Sequence, residues 1–200
     1  RGAEYLASLG LALQKAGALV VGEPTANYPV LGHKGILWLE ASTSGITAHG
    51  SMPEQGDNAI YKMARAITRL EKFDFKVSPH PVLGNPTLNV GTVSGGININ
   101  SVPDRATIGI DIRTVPEQDF DDLQRELQTY LGEEVRLKNL QASPAVSTDP
   151  GDDWVRDVFQ VMAAYIGQDP KPRGIPYYTD ASALSTALGH PPTIIMGPGE

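Results

Sequence analysis

The sequence contains no cysteine among its 200 residues. Disulfides, thiolate nucleophiles and cysteine-ligated zinc are therefore excluded, and any metal would have to be held by oxygen and imidazole ligands. Positive charge is also scarce, since 16 lysines and arginines face 23 aspartates and glutamates for a net charge of -7. With no basic stripe and no run of like charge, nucleic acid and anionic membrane surfaces are not expected as partners. No apolar stretch approaches the ~20 residues of a membrane span, and the first residues lack the charged-then-apolar form of a signal peptide. A cytoplasmic protein is the resulting expectation. What is present suits a folded domain: 40% hydrophobic content can build a real core, and 200 residues allow one large domain or two modest ones. The chain opens in helix-like sequence without a methionine and ends on a Gly-Pro-Gly turn, which leads us to expect a segment of a longer protein.

The leucines and alanines from Glu4 to Lys15 predict a short helix, and "ALVVGEPT" a buried strand running into a turn. From Gly35 the pattern changes. A strand is expected over Gly35 to Thr43, and a helix over Asn58 to Leu70 with Ile60, Met63, Ala64, Ile67 and Leu70 on one face. "PTLNVGTVSGG" and "ATIGIDIRTV" read as two further strands, the second with Ile108, Ile110 and Ile112 alternating with Gly109, Asp111 and Arg113. "PEQDFDDLQRELQTYL" reads as an amphipathic helix with Pro116 near its start, and "EVRLKNL" as a last strand. This β-α-β-β-α-β order is that of a ferredoxin-like unit. Helices over Trp154 to Ile166 and Ala181 to Leu188 and a strand at "PTIIM" follow. The fold class predicted is thus α/β with an inserted α+β domain, the insertion spanning residues 33–143 between flanking pieces at 1–32 and 144–200.

Several residues could carry chemistry. Glu23 ends a strand, where open α/β sheets place ligand crevices. A carboxylate there binds metal, acts as a base, or caps the next turn. His49 lies in "AHGSMPEQGDNAI", a loop of glycine, serine, proline and charge; its imidazole either bonds within the loop or is presented to a ligand. Asn100 precedes the turn at Pro103, and Arg113 sits on a largely apolar strand. Arg113 either pairs with Asp111, Asp104 or Glu40, or clamps a substrate carboxylate with its planar fork. Thr179 and Asp180 open a helix, as cap or as anion site. His33, His80 and His190 are expected at the surface.

Taken in order, "GEPT", "HKG", "TAHGSMPEQGDNAI", "GTVSGGININSVPDRATIGIDIRT", "YYTDASAL" and "IIMGPGE" resemble peptidase family M20, the group of acetylornithine deacetylases, succinyl-diaminopimelate desuccinylases, aminoacylases and related carboxypeptidases. The resemblance implies a zinc-peptidase-like α/β layer interrupted by a ferredoxin-like lid that also forms a homodimer. It implies that Glu23 binds one of two zinc (or cobalt) ions, and that His49 reaches into the partner's active site and polarises the scissile carbonyl. Asn100 and Arg113 would hold the substrate's carboxylate end, and Thr179 and Asp180 would line its cleft. The substrate implied is a small N-acyl amino acid or short peptide, with the deacetylase and desuccinylase branch favoured. A di- or tripeptidase of the same family, or a dimerisation or amino-acid-binding module without chemistry of its own, is the alternative. Where the family often has Gly-Gly-Thr, this chain has Tyr177-Tyr178-Thr179. The family's other metal ligands would lie upstream of Arg1 and downstream of Glu200, so the 200 residues alone are expected to be inactive.

Overall fold

Alternation along "ATIGIDIRT" commits one face of that strand to a core, and the computed structural model, which describes residues 2–9 and 15–199, shows what fills it. In chain order the elements are α1 (Gly2–Ser8), β1 (Leu19–Val21), β2 (Gly32–His33), β3 (Gly35–Ser44), α2 (Ala59–Leu70), β4 (Thr87–Gly95), β5 (Arg105–Thr114) and α3 (Phe120–Leu131). They continue with β6 (Val135–Ser143), β7 (Val146–Ser147), α4 (Asp153–Ile166), α5 (Ala181–Ala187) and β8 (Thr193–Ile195). The expected helix over Glu4 to Lys15 is seen as α1; residues 10–14 lie outside the described residues.

β3 to β6 form an antiparallel sheet in the order β4-β5-β3-β6, the ferredoxin-like arrangement expected from the sequence. Leu37, Leu39 and Ala41 of β3 and Ile108, Ile110 and Ile112 of β5 meet Met63, Ala66 and Leu70 of α2 and Leu123, Leu127 and Leu131 of α3 in one buried cluster. The opposite face of the sheet, carrying Trp38, Glu40, Asp111 and Arg113, is left uncovered by these helices.

Two sequence expectations shift. The buried stripe of α2 runs through Ala59, Met63, Ala66 and Leu70, while Ile60 and Ala64 are exposed. The alanines let the helix approach the sheet closely, and Ile60 instead packs over the edge at Gly95, where an added Cβ would come within 3.0 Å of its Cγ1. Pro116 sits in a turn ahead of α3; the cap is Asp119, whose carboxylate accepts the backbone N–H groups of Asp121 and Asp122. Asn58 caps α2 in the same way, accepting from Tyr61 N–H.

The flanking residues build a second layer. β1 pairs in parallel with β8, and Val21, Val30, Val146, Ala181 and Ile195 form its core. Where the chain passes between the layers, the short strands β2 and β7, not anticipated from the sequence, pair antiparallel. The 173–175 segment bonds to β2 and to the stretch that precedes β4: Ile175 N–H donates to Gly32 O at 3.0 Å, and Gly174 N–H donates to Val82 O at 3.0 Å.

His33, expected at the surface, is fully buried in this crossing. Its Nδ1 lies 2.7 Å from the Lys34 carbonyl and its Nε2 3.4 Å from Ser182 Oγ on α5, which in turn donates to the Pro144 carbonyl at 2.7 Å. Burial pushes the His33 pKa below the ordinary imidazole range, only partly offset by the bond to Lys34. The unfolded chain therefore binds a proton at His33 more readily than the folded one, so stability present above about pH 6.5 falls as the pH drops below it. Urea titrations between pH 7.5 and pH 5 should show this loss, and His33→Gln should flatten it.

Candidate active site

Because β1 and β8 run parallel, their carboxyl ends lie side by side, and the turns that follow them interlock. Thr25 N–H donates to Gly197 O at 3.1 Å, Gly197 N–H donates to Thr25 Oγ1 at 3.2 Å, and a Cβ at Gly197 would come within 2.7 Å of the Glu23 carbonyl. Glu23 stands half-buried at this junction. Among the described residues neither an ion pair nor a cap engages its carboxylate. Tyr177 OH donates to Pro24 O at 2.6 Å, which draws the 177–180 segment to the same end of the layer. There Thr179 is buried, and its Oγ1 accepts Ala181 N–H at 3.1 Å, so this hydroxyl serves the turn into α5. Asp180 is exposed and makes no side-chain cap. Tyr177 thus ties the segment that carries Thr179 and Asp180 to the turn that follows Glu23.

His49 lies far from that group in sequence and on the other unit. Gly45 N–H donates to Asp104 O at 2.7 Å, Gly50 N–H to Asn100 O at 2.7 Å, and Val102 N–H to Ala48 O at 2.8 Å. The His49 loop and the Asn100 loop are thus stitched together at the tip of the sheet, with both side chains exposed. Ser51 decides the tautomer: its backbone N–H donates to His49 Nδ1 at 3.2 Å and its Oγ lies 2.7 Å from the same atom. With Nδ1 accepting, the neutral ring carries its proton on Nε2, a donor with no hydrogen-bond partner among the described residues. Of the two sequence readings of His49, the bond within its own loop is the one seen here.

Arg113 sits at the opposite end of β5. It does pair with Asp111, Nη2 at 2.9 Å and Nε at 3.3 Å from Oδ2, while Asp111 Oδ1 accepts the Trp38 indole N–H at 3.0 Å. Burial and the Arg113 charge together lower the pKa of Lys34 beside it. The strand separates Arg113 from Arg105, next to the Asn100 loop, by about 27 Å at ~3.4 Å per residue. One chain therefore does not bring Arg113 together with His49 and Asn100.

Among the described residues no group of three or more histidines, aspartates, glutamates or cysteines gathers to hold a metal. A catalytic zinc needs about three protein ligands, so Glu23 alone does not make such a centre. Nor is any helix among the described residues long and apolar enough to cross a membrane.

Residues 31–138 match the peptidase dimerisation domain of family M20. The chain belongs to peptidase family M20. Its M20 relatives include a probable succinyl-diaminopimelate desuccinylase of Staphylococcus epidermidis, 27% identical over 100% of this chain and 56% of that protein. Another is an acetylornithine deacetylase of Proteus mirabilis, 31% identical over 90% of this chain and 48% of that protein. The chain thus spans about half the length of the curated relatives it matches. The M20 fold is equally clear in solved structures: an M20 metallo-carboxypeptidase from Sulfolobus solfataricus superposes with a TM-score of 0.72 at 18% identity, covering 98% of this chain and 67% of the other. An aminopeptidase from Bacillus cereus gives a TM-score of 0.71 at 22% identity, covering 98% and 54%.

Proposed function

We propose that residues 33–143 are the lid and dimerisation domain, and residues 1–32 and 144–200 part of the catalytic layer, of an amidohydrolase that cleaves N-acyl amino acids, in the manner of the deacetylases and desuccinylases it resembles. The whole protein works as a homodimer in which each active site draws on two subunits. The observation that carries this reading is the separation of Arg113 from the His49 and Asn100 tip, since the length of β5 prevents one lid from placing all three on one small substrate. Arg113 of one subunit holds the substrate carboxylate, and His49 and Asn100 come from the other.

In this arrangement His49 Nε2–H donates to the carbonyl oxygen as it gains negative charge, and Ser51 keeps that proton on the correct nitrogen. Asp111 and Trp38 hold the Arg113 fork in place, leaving Nη1 for the substrate. Two metal ions, zinc or cobalt, would supply the attacking water in the whole protein, and Glu23 is this chain's contribution to their ligands.

Arg113→Ala should raise KM for carboxylate-bearing substrates by roughly 10- to 150-fold, the value of about 1.5–3 kcal/mol for a charge-assisted bond, with kcat changed far less. An unchanged KM in steady-state kinetics would remove Arg113 from the substrate site.

A further inference from the structure

The uncovered face of the four-stranded sheet is interrupted twice at the same level. In the β4–β5 pairing the register shifts between Val90 and Thr92, leaving Gly91 unpaired. In the β3–β6 pairing Trp38 opposes Gln141 but Leu39 opposes Asn139, leaving Leu140 unpaired. Both bulges flank the Leu39–Ile110 pair, one on each edge strand of the sheet. A bulge bends its strand and re-aims side chains, and bulges are enriched beside active sites. The two bulged residues, Gly91 and Leu140, border a concavity in this face.

The concavity is a depression of about 290 Å³ lined by Trp38, Leu140, Asn89, Thr92, Gly109 and Asp111. Trp38 is 38% and Leu140 55% exposed, unusual for large apolar side chains placed side by side. Its floor is open because residue 109 has no side chain: a Cβ there would sit 2.6 Å from Thr92 Oγ1, which accepts the Gly109 N–H at 3.0 Å. The same Asp111 carboxylate that fixes the Trp38 ring fixes the Arg113 guanidinium. Arg113 follows Asp111 by two residues on this face, about 6.8 Å along the strand.

We propose that this depression is the substrate's side-chain pocket, and that it selects N-acyl amino acids or peptides whose carboxylate-bearing residue is apolar, aromatic or branched aliphatic. The proposal rests on Arg113 anchoring the carboxylate. A ligand so anchored places its side chain one residue-step away, over the Trp38 ring. The volume is at the small end of ligand sites, about 300–1,000 Å³, and suits one side chain. Charge argues the same way. An ammonium-bearing side chain needs an anion, and the one carboxylate in the lining already holds Arg113 and the indole N–H. Glu40 borders a separate depression further along the sheet.

Isothermal titration of the whole protein with hydrolysis-resistant N-methylsulfonyl amino acids tests this. The phenylalanine analogue should bind tenfold or more tightly than the glycine analogue, as expected for burying about one apolar side chain. Leu140→Asp, on an exposed bulge outside the core, should abolish most of that preference, read as the ratio of the two affinities because the added charge weakens both carboxylate analogues alike. Leu140→Ala should reduce it less. Equal binding of the two analogues, or a preference that survives Leu140→Asp, overturns the pocket. Separately, the primary amide of the phenylalanine analogue should bind tenfold or more weakly; if amide and carboxylate bind alike, the anchoring role of Arg113 falls instead.

Discussion

Replacing His49 with alanine in the whole protein should lower kcat by about 10²- to 10³-fold, the loss of about 2.7–4 kcal/mol seen when one oxyanion donor is removed. KM should change little, because the carbonyl gains its charge only on the way to the tetrahedral state. The fold should be unaffected: His49 is exposed, and its loop is tied down by backbone bonds to Asn100 and Val102 that the substitution leaves in place. Ser51→Ala should give a weaker version of the same defect, since the Oγ contact that helps fix the tautomer is lost while the backbone donor remains. The decisive measurement is complementation. A His49→Ala subunit retains Glu23, and a Glu23→Ala subunit retains His49. Mixed after dissociation, two inactive proteins should regain about one quarter of wild-type activity, because half of randomly paired C2 dimers are mixed and each mixed dimer holds one intact site. No recovery would place His49 and Glu23 in the same subunit's site, or His49 outside it.

The second large effect is expected at Gly32. Its φ of 155° lies at the edge of the left-handed half of backbone space, and an added Cβ would stand 2.0 Å from the Val146 carbonyl oxygen. That atom belongs to the paired strand, so it cannot swing away as a side chain would. Gly32→Ala should therefore cost about 2–6 kcal/mol, from strain of about 1–3 and overpacking of about 1–3, read as a lowered urea midpoint. Gly84→Ala is the control. Gly84 also has a positive φ, 72°, yet nothing lies within 4 Å of its Cβ position, so only the conformational penalty applies. Comparable losses at both sites would mean that the crossing tolerates the clash by moving.

Much of this was legible in the sequence where periodicity is strong. Ile108, Ile110 and Ile112 marked the core face of β5, and the order of strands and helices led to the ferredoxin-like arrangement now seen. The α2 stripe was misread because Ile60 outweighs Ala59 and Ala66 in any count of hydrophobicity, whereas the sheet accepts the smaller residues. His33 was misplaced because its neighbour Lys34 suggests solvent and its partner Ser182 lies 149 residues away. Of the two bulges, a glycine inside a strand was a readable sign at Gly91; nothing local marks Leu140. The tethering of Asp111 to both Trp38 and Arg113 combines a two-residue spacing visible in the sequence with a cross-strand pairing that only the register supplies.

The crossing between the layers has one more consequence. Three separate stretches of chain, around residues 32–34, 146–147 and 173–175, are joined there by backbone hydrogen bonds, with the His33 ring buried beneath them. Neither layer can lose its structure without breaking bonds that the other depends on. The two should consequently melt as one cooperative unit, with coincident transitions for probes in each, and amide exchange at Gly174 and Ile175 should require the global opening.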